Sequence, residues 1–404
     1  MESFNKVTID DIDVFGKRVL LRLDLNVPIQ DGSIKDKNRL ITALPTINKL
    51  LNDGGKIIMC SHLGKPKGEA NKKFSLEIVA KELSNLLNKK VKFLDSDIVI
   101  NDDVKQQINQ MQNGEICLLQ NTRFRKEEEL CEENFSKELA SLCDIYVNDA
   151  FGTAHRAHAS NVGVAKFVKE NAVGYLMLDE IRFLGNAINN PNRPLVAILG
   201  GAKIEDKLNV ISNLLVKCDT LIIGGGMAYT FLKAKGYEIG QSLCDNSKIQ
   251  YCEEMMNKAK RLNKKLLLPI DAICANRFPN PIDENIPTKC FKANEIPSDY
   301  MGLDIGEETI KIFMKALKNA KTVVWNGPMG MFENKKFALG TYCIARTLTE
   351  LKYSTTIIGG GDSASFVNNF GLSSKMTHIS TGGGASLEFL EGKVMPGIDA
   401  INNK

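Results

Sequence analysis

Cationic and polar side chains follow four strand-like segments in the first half of the sequence. In "LRLDLNVP", Arg22, Asp24 and Asn26 alternate, so an extended strand would place all three on one face. Arg39 stands just before a helical pattern. The other three segments, "CSHLGKP", "LLQNTRFRKEEE" and "VNDAFGTAHRAHAS", add His62, Lys65, Arg123 and Arg156. Because guanidinium groups match carboxylate and phosphate oxygens, a cluster of these residues predicts a site for a small, highly anionic ligand.

Each of these segments also has a structural interpretation. Alternating polar residues are typical of a solvent-facing edge strand, and a single histidine is often a surface or capping residue. Arg125 and Lys126 precede three glutamates, which favours a solvent-exposed helix face. His155 and His158 have a spacing that can bind a metal ion, but no further histidine or acidic cluster supports one.

The second half of the sequence combines lysines with glycine-rich strand ends. Lys203 and Lys207 follow Gly200 and Gly201 and are four residues apart, which predicts one face at the start of a helix. Cations at a helix start oppose its dipole unless they bind an anion. The segment "VVWNGPMGMFE" adds Asn326 and Glu333, although it also fits a simple turn.

Three glycine triplets follow strand-like runs, in "IIGGGMAYTF", "IIGGGDSASF" and "ISTGGGASLEF". Glycine lets backbone N–H groups approach a ligand closely, and a following helix start attracts phosphate. Any one triplet could be a tight turn without a ligand, but three at adjacent strand ends favour a phosphate site. Asp362, after the second triplet, would repel a bare phosphate, so it predicts a magnesium ion between them.

The elements that position these residues alternate between short apolar strands and longer helical patterns. This alternation predicts an α/β fold with two doubly wound, parallel-sheet (Rossmann-like) domains joined by a connecting helix and hinge. The predicted strands begin at "RVLLRLDL" and recur as "KIIMC", "PLVAIL", "KTVVWN" and "STTII". The predicted domains are 1–172 and 189–389, with the connecting helix at 173–188 between them.

Composition excludes several classes of protein. The 404 residues carry a net charge of only +4, without the basic excess of a nucleic-acid-binding protein. The ten cysteines form no C-x-x-C pair, which argues against zinc and disulfides and favours a reducing compartment. No secretory signal or membrane span is expected, so the predicted location is the cytoplasm, without a membrane partner.

Of two common nucleotide-binding motifs, one is absent from the sequence and the other is matched only loosely. No Walker P-loop is present. Gly359, Gly361 and Ala364 fit a loose dinucleotide pattern, which leaves a nicotinamide-dependent dehydrogenase as one alternative. A non-catalytic polyanion binder that uses the cationic cluster is another.

The ordered motifs closely resemble the phosphoglycerate kinase family over essentially the whole chain. They are "RLDLNVP", "NRLITALPTI", "SHLGKP", "NDAFGTAHRAH", "LGGAKIEDK", "GGGMA", "WNGPMGMFE", "GGGDS" and "STGGGASLEFLEGKVMPG". The resemblance implies reversible phosphoryl transfer from 1,3-bisphosphoglycerate to Mg-ADP, giving 3-phosphoglycerate and Mg-ATP in glycolysis or gluconeogenesis. It also implies a monomer that closes about a hinge, with the tail 390–404 packing back on the N-terminal domain.

The resemblance assigns sites residue by residue. The 3-phosphoglycerate positions are Asp24, Leu25, Asn26, Arg39, His62, Leu63, Gly64, Lys65, Arg123 and Arg156. The nucleotide positions are Gly201, Ala202, Lys203, Lys207, Gly226, Gly302, Asn326, Glu333, Gly360, Gly361, Asp362 and Ser363, with Asp362 also the Mg²⁺ residue. Lys65 stands where most members have arginine, and Gln120 replaces the usual glutamate.

The expected catalytic groups come from both predicted domains. Arg39 and Lys203 are expected to neutralise the moving phosphoryl group, with backbone amides of Gly361 and Gly384 as further donors. Hinge positions are expected at the ends of the connecting helix and at Ser380–Gly384.

Overall fold

The computed structural model describes residues 5–404, which divide into two compact units. Unit 1 ends at Arg182 and resumes as Val394–Lys404, and unit 2 is Phe183–Lys393. The break at Arg182 falls inside the segment predicted to connect the domains. None of the helices in residues 5–404 has the length and apolarity that a membrane span requires.

The strands and helices are numbered along the chain. The strands are β1 (Arg18–Arg22), β2 (Ile29–Gln30), β3 (Ser33–Ile34), β4 (Lys56–Cys60), β5 (Lys92–Leu94), β6 (Ile116–Leu119), β7 (Ile145–Asn148), β8 (Glu170–Val173), β9 (Leu195–Leu199), β10 (Thr220–Ile223), β11 (Lys265–Leu267), β12 (Asp271–Ala275), β13 (Lys289–Lys292), β14 (Met301–Ile305), β15 (Thr322–Asn326), β16 (Thr355–Gly359) and β17 (His378–Ile379). The helices are α1 (Asn38–Asn52), α2 (Glu77–Leu87), α3 (Asp102–Asn109), α4 (Lys126–Glu129), α5 (Glu133–Ser141), α6 (Tyr175–Asn189), α7 (Leu208–Lys217), α8 (Ala228–Ala234), α9 (Ile249–Arg261), α10 (Glu307–Leu317), α11 (Leu339–Glu350), α12 (Gly361–Asn369), α13 (Gly384–Leu390) and α14 (Pro396–Asp399).

Unit 1 is built on a six-stranded parallel sheet in the order β5-β6-β4-β1-β7-β8. Its central strands are almost entirely apolar because helices cover both faces of such a sheet. Helix α2 shows how the sequence pattern directs packing: Val79, Ala80 and Leu83 are fully or almost fully buried, while Leu87 at its end is half-buried. Burial of one such leucine contributes roughly 1.5–3 kcal/mol.

The C-terminal tail completes unit 1. Residues Lys6 and Asn403 form an antiparallel bridge, and the backbone N–H of Val7 donates to the carbonyl of Asn402 at 2.9 Å. The amide of Asn148, at the end of β7, donates to the carbonyl of Gly397 at 3.1 Å. These bonds tie the last residues of the chain to the strand end that precedes one of the cationic segments.

Unit 2 contains a second six-stranded parallel sheet, in the order β11-β10-β9-β15-β16-β17. Trp325 and Phe366 are fully buried in its core. The prediction of two parallel sheets with flanking helices is therefore confirmed. The sequence patterns did not reveal an additional antiparallel sheet, β13-β12-β14, which forms between α9 and α10.

The glycine triplets are not all neighbours, contrary to expectation. The first follows β10, whereas the second and third follow the adjacent strands β16 and β17. Strands β9 and β15 separate the first triplet from the other two. The triplets therefore serve two different parts of the sheet edge.

Candidate active site

The cationic residues of unit 1 lie around His62, which is buried in the loop after β4. Burial lowers the pKa of His62 well below its ordinary value, and the positive charges of Arg22, Arg123, Arg39 and Arg156 lower it further. The structure thus brings together the four arginines that the sequence places on four separate segments. Its electrostatic field favours an anionic ligand and keeps the imidazole neutral.

The loop after β1 does not continue the strand as predicted. Strand β1 ends at Arg22, so Asp24 and Asn26 lie in the following loop and do not share a strand face with it. The Arg22 side chain is fully buried, and its Nε donates to the hydroxyl of Ser160 at 2.7 Å. The expectation that Arg22 faces the ligand with Asp24 and Asn26 is therefore wrong.

Asp24 and Asn26 instead fix the loop against neighbouring elements. Asp24 forms an ion pair with Arg39, which lies within the first turn of α1 rather than before it. The amide oxygen of Asn26 accepts from the backbone N–H of Gly64 at 2.8 Å. The backbone N–H of Leu25 donates to the hydroxyl of Ser61 at 2.9 Å, and the Leu25 side chain is fully buried in the core.

Asn121 organises the second loop of the site, and the sequence patterns did not single it out. Its side chain accepts from the N–H of Leu63 at 3.2 Å and donates to the carbonyl of the same residue at 2.7 Å. Arg123 donates to the carbonyl of Gly64 at 2.8 Å. Gly64 has φ +59°, and a Cβ there would lie 2.5 Å from the Phe74 ring, so the position requires glycine.

The remaining cations differ in exposure. The side chain of Arg123 is only 4% exposed, and burial lowers its pKa although Glu129 lies 3.1 Å away. Arg156 is exposed, and its Nε donates to Nε2 of His155 at 3.0 Å. Lys65 is also exposed, in the loop after β4 that contains His62. The site therefore combines one desolvated guanidinium with cations that solvent still reaches.

Gln120 has a structural role that its sequence did not suggest. Its side-chain amide donates to the hydroxyl of Ser75 and to a carboxylate oxygen of Asp95, each at 3.0 Å, and its oxygen accepts from Leu76 N–H at 3.1 Å. The same oxygen also accepts from the N–H of Asn121 at 2.9 Å, so glutamine, which both donates and accepts, satisfies all four partners.

A solvent-exposed helix face was predicted at Arg125 and Lys126, and Lys126 is exposed, but the glutamates that follow differ from one another. Glu127 pairs with Arg125 at 3.0 Å and Glu129 lies beside Arg123, but Glu128 is fully buried. A four-residue helix, α4, is too short for periodicity to show which side chain points inward.

Unit 2 contains an apolar cavity of about 460 Å³ at its sheet edge. Leu243, Phe278 and Met331 supply apolar walls, and the exposed carboxylate of Glu333 lines its side. The predicted nucleotide residues that line it are Gly201, Ala202, Gly226, Gly302, Glu333 and Asp362. A mostly apolar cavity with a few polar groups is typical of a small-molecule site.

A second, more polar cavity of about 660 Å³ adjoins the first, because Gly201, Ala202 and Asp362 line both. Its predicted nucleotide residues are Gly201, Ala202, Lys203, Lys207, Asn326, Gly360, Gly361, Asp362 and Ser363, and Gly384 lines it as well. The structure thus divides the predicted nucleotide residues between an apolar cavity and a polar one.

The two lysines do not lie on one helix face as predicted. Residues Glu205–Lys207 form a 3₁₀ turn, α7 begins at Leu208, and the exposed Lys203 lies in the loop before both. Burial lowers the pKa of Lys207, against the opposing effect of Asp206 and Asp362. Both lysines still reach the polar cavity, one from the loop and one from the turn.

Helix starts close the polar cavity on the side of β16 and β17. Helix α12 begins at Gly361, after Gly360 with φ +87°, and α13 begins at Gly384, after Gly383 with φ +53°. The hydroxyl of Ser363 is buried and accepts from Gly327 N–H at 2.7 Å, which fixes the start of α12. The first N–H groups of a helix have no partner within the helix, so they suit phosphate oxygens.

Comparison with known proteins agrees with this geometry. The family profile described as "Phosphoglycerate kinase" matches residues 9–393. A relative from Clostridium novyi (strain NT) named phosphoglycerate kinase is 59% identical over 402 residues, covering 100% of both chains. The solved phosphoglycerate kinase from Coxiella burnetii has a TM-score of 0.89 at 39% identity, and that from Pyrococcus horikoshii OT3 has 0.83 at 32%; each match covers 98% of both chains. The resemblance noted in the sequence is confirmed, and the chain belongs to the phosphoglycerate kinase family.

Proposed function

We propose that this chain performs the reaction of its family with the acid substrate on unit 1 and the nucleotide on unit 2. Membership makes it a phosphotransferase with a carboxyl acceptor and gives it a role in glycolysis. The reaction is reversible transfer of a phosphoryl group from 1,3-bisphosphoglycerate to Mg-ADP. The observation that carries the division of ligands is the contrast between the arginine cluster of unit 1 and the paired cavities of unit 2.

The acid substrate suits unit 1 because its charge is dense. Arg39, Arg123 and Arg156 are positioned to meet carboxylate and phosphate oxygens, and neutral His62 offers a ring nitrogen. Asp24 and Asn26 are the groups suited to a ligand hydroxyl. Leu25, Leu63, Gly64 and Lys65 shape the loops that surround these groups.

The nucleotide suits unit 2 because its two cavities match the two ends of such a ligand. The base and sugar occupy the apolar cavity, where Gly226 and Gly302 leave room and Glu333 accepts from a ribose hydroxyl. The phosphates occupy the polar cavity beside Lys203, Lys207 and the start of α12. The dehydrogenase and polyanion-binder alternatives find no support beside the family match.

Magnesium fits one carboxylate at this site. Among residues 5–404, no group of three or more His, Cys, Asp or Glu side chains could hold a metal ion unaided. Asp362, in the first turn of α12, lines the polar cavity together with Asp206, Glu388 and Glu391, and Mg²⁺ is commonly held by one or two carboxylates together with substrate phosphates. When bound there, Mg²⁺ would neutralise charge on the nucleotide phosphates.

The chemistry requires positioning more than proton transfer. The acceptor carboxyl group is already ionised at neutral pH, so no general base has to remove a proton. Arg39 and Lys203, with the backbone N–H groups of Gly361 and Gly384, stabilise charge on the moving phosphoryl group.

Turnover also requires the two loaded units to close, because reacting atoms must approach within about 3–3.5 Å. Hinges at the ends of 173–188 and at Ser380–Gly384 would allow this closure. Small-angle scattering should then show a smaller radius of gyration with both ligands than with either one. We also propose that the protein is a cytoplasmic monomer, which light scattering would test as the mass of a single chain.

A coupled assay tests the function directly. Purified protein with ATP, Mg²⁺ and 3-phosphoglycerate should release ADP, and omission of 3-phosphoglycerate should abolish that release. An otherwise folded protein without detectable activity would overturn the assignment.

A further inference from the structure

A buried carboxylate lies behind the arginine cluster of unit 1, and a continuous chain of polar contacts joins it to His62. We propose that Glu128 is a positioning residue: through Ser160 it fixes Arg22, so that His62 presents its Nε2–H to the acid substrate. The inference rests on the proposed function, since it explains how one group of that site is held.

Glu128 differs from the glutamates on either side of it. It is fully buried, whereas Glu127 pairs with Arg125 and Glu129 is half-exposed beside Arg123. One carboxylate oxygen accepts from the backbone N–H of Ser160 at 2.9 Å. The other accepts from the Ser160 hydroxyl at 2.5 Å and from the Thr122 hydroxyl at 3.3 Å. The partners of Glu128 are thus Thr122, which is adjacent to Arg123, and Ser160, which contacts Arg22.

The hydrogen-bond chemistry allows only one direction along this chain. An ionised carboxylate accepts only and a guanidinium donates only, whereas a hydroxyl has a single proton to donate. The Ser160 proton therefore goes to Glu128, and its oxygen accepts Nε–H of Arg22 at 2.7 Å. Ser160 is thus held in one orientation, and Arg22 is held with it.

The same logic determines the tautomer of His62. One terminal nitrogen of Arg22 lies 3.3 Å from Nδ1 of His62. Because Arg22 cannot accept a hydrogen bond, Nδ1 must be the unprotonated nitrogen. The ring is neutral since burial and then the charge of Arg22 lower the pKa of His62 well below its ordinary value. Its single proton is therefore on Nε2, where it can donate to a ligand oxygen.

Charge also links Glu128 to Arg22. Both side chains are fully buried, and each desolvated charge needs an opposite charge nearby. Arg39 has Asp24 as its carboxylate and Arg123 has Glu129. Glu128 is the carboxylate that balances the charge of Arg22, and the Ser160 hydroxyl lies between the two groups.

Glu128→Gln tests the proposal with little change in volume. The new amide donates as well as accepts, so it disturbs the orientation of Ser160 and leaves Arg22 without an opposite charge. We expect the KM for 3-phosphoglycerate to rise about 10-fold, the size of one lost charge-assisted hydrogen bond, with the KM for ATP unchanged. The ¹⁵N-¹H correlation spectrum of His62 should lose its pure Nε2–H pattern.

Two further variants accompany it. Glu127→Gln makes the same chemical change in the same helix, but its partner is Arg125, so both KM values and the His62 spectrum should stay as in the wild type. Ser160→Ala breaks the chain in the middle and serves if Glu128→Gln does not fold. Because both variants cut one chain, their effects on KM should not add in the double variant.

A merely structural role for Glu128 would give a different result. Partial unfolding reduces the number of active molecules, so the apparent kcat would fall while both KM values and the His62 spectrum stayed unchanged, and that would overturn the proposal. A raised KM with an unchanged His62 spectrum, or the reverse, would also overturn it. An inactive wild type would reject the proposed function instead, and the spectrum would still test the chain of contacts without any activity.

Discussion

The candidate sites of unit 1 and unit 2 are formed by different kinds of groups. In unit 1 the candidate site consists of charged side chains and loops that other side chains hold in place, as Asp24 holds Arg39 and Asn121 holds the backbone of Leu63. In unit 2 the candidate site consists mainly of glycines, helix starts and the exposed Lys203. The first site is a cluster of partly buried charged side chains, whereas the second is formed mainly by glycine backbone.

Each site should therefore tolerate a different kind of change. A charge in unit 1 is tied to a network, so its removal disturbs neighbours as well as the ligand. In the candidate site of unit 2, backbone segments pack directly against each other at glycines. A side-chain atom added at such a glycine should therefore weaken nucleotide binding more than the removal of a charge elsewhere on the surface of unit 2. Substitutions that remove a charge therefore test the site of unit 1, and substitutions that add a side chain at a glycine test the site of unit 2.

The largest expected effects come from the charges assigned to the moving phosphoryl group. Arg39→Ala and Lys203→Ala should each lower kcat by about 10²–10³, by analogy with the loss of a single oxyanion donor. Steady-state kinetics with both substrates in excess measures this fall.

Cations that line neither cavity provide the controls for that test. Arg346, which pairs with Glu350 on α11, and Lys217, at the end of α7, are suitable for matched alanine substitutions. If kcat stayed at the wild-type level in both Arg39→Ala and Lys203→Ala, the proposed stabilisation of the phosphoryl group would be wrong.

Gly225→Ala should break the site of unit 2 through shape alone. Gly225 has φ +66°, and a Cβ there would lie 2.5 Å from the backbone nitrogen of Gly201. We expect the KM for ATP to rise by at least about 10-fold and the free energy of unfolding to fall by roughly 1–3 kcal/mol, the usual cost of overpacking.

Gly371→Ala separates backbone strain from this clash. Gly371 has φ +65°, but a Cβ there would meet no atom of residues 5–404 within 4 Å beyond its own chain neighbours. Its substitution should reduce stability by about 1 kcal/mol through strain and leave the KM for ATP unchanged. Equal KM values for Gly225→Ala and the wild type would show that the glycine loop does not shape the nucleotide cavity.

The pH dependence of the free energy of unfolding should show whether burial and the neighbouring arginines keep His62 neutral. The pKa of His62 lies well below its ordinary value, first because of burial and then because of Arg22, so the folded ring stays neutral where the unfolded one binds a proton. Stability is therefore lost as pH falls through the unfolded pKa of ~6.5. Between about pH 6.5 and 5.5, the wild type should lose about 1 kcal/mol more than His62→Gln.

Urea unfolding at the two pH values measures this difference. His158, whose pKa burial lowers to about 3, remains in both proteins, so its contribution cancels. Parallel losses in the two proteins would mean that His62 is not held neutral by its surroundings.

The sequence predicted the architecture well because local patterns specify it. Apolar runs such as Lys56–Cys60 and Leu195–Leu199 became central parallel strands, and the amphipathic pattern before Leu87 became α2. The antiparallel sheet β13-β12-β14 was missed because β13 (KCFK) and β14 (MGLDI) contain lysine, glycine and aspartate and lack the apolar runs by which the parallel strands were recognised.

The convergence of the cationic segments in unit 1 was predicted from residue type, but the orientation of individual side chains was not. The segments with Arg39, His62 and Arg123 do converge, yet Arg22 points inward and Glu128 is buried. Both follow from where β1 ends and from how the turn at Ala159–Gly163 places Ser160, which no pattern in the sequence shows. Burial of a charge is decided by partners far along the chain.

The smallest expected effect belongs to Lys65, which tests the limit of the side-chain network in unit 1. Lys65 is exposed, so an interaction with the acid substrate should resemble a solvent-exposed ion pair. Such pairs contribute about 0.2–1 kcal/mol, so Lys65→Ala should raise the KM for 3-phosphoglycerate by less than about 5-fold. Lys65→Arg should keep or lower that KM, since the guanidinium adds a second parallel hydrogen bond. A rise in that KM far above about 5-fold in Lys65→Ala would show that Lys65 becomes desolvated when the substrate binds, as the buried Arg123 already is.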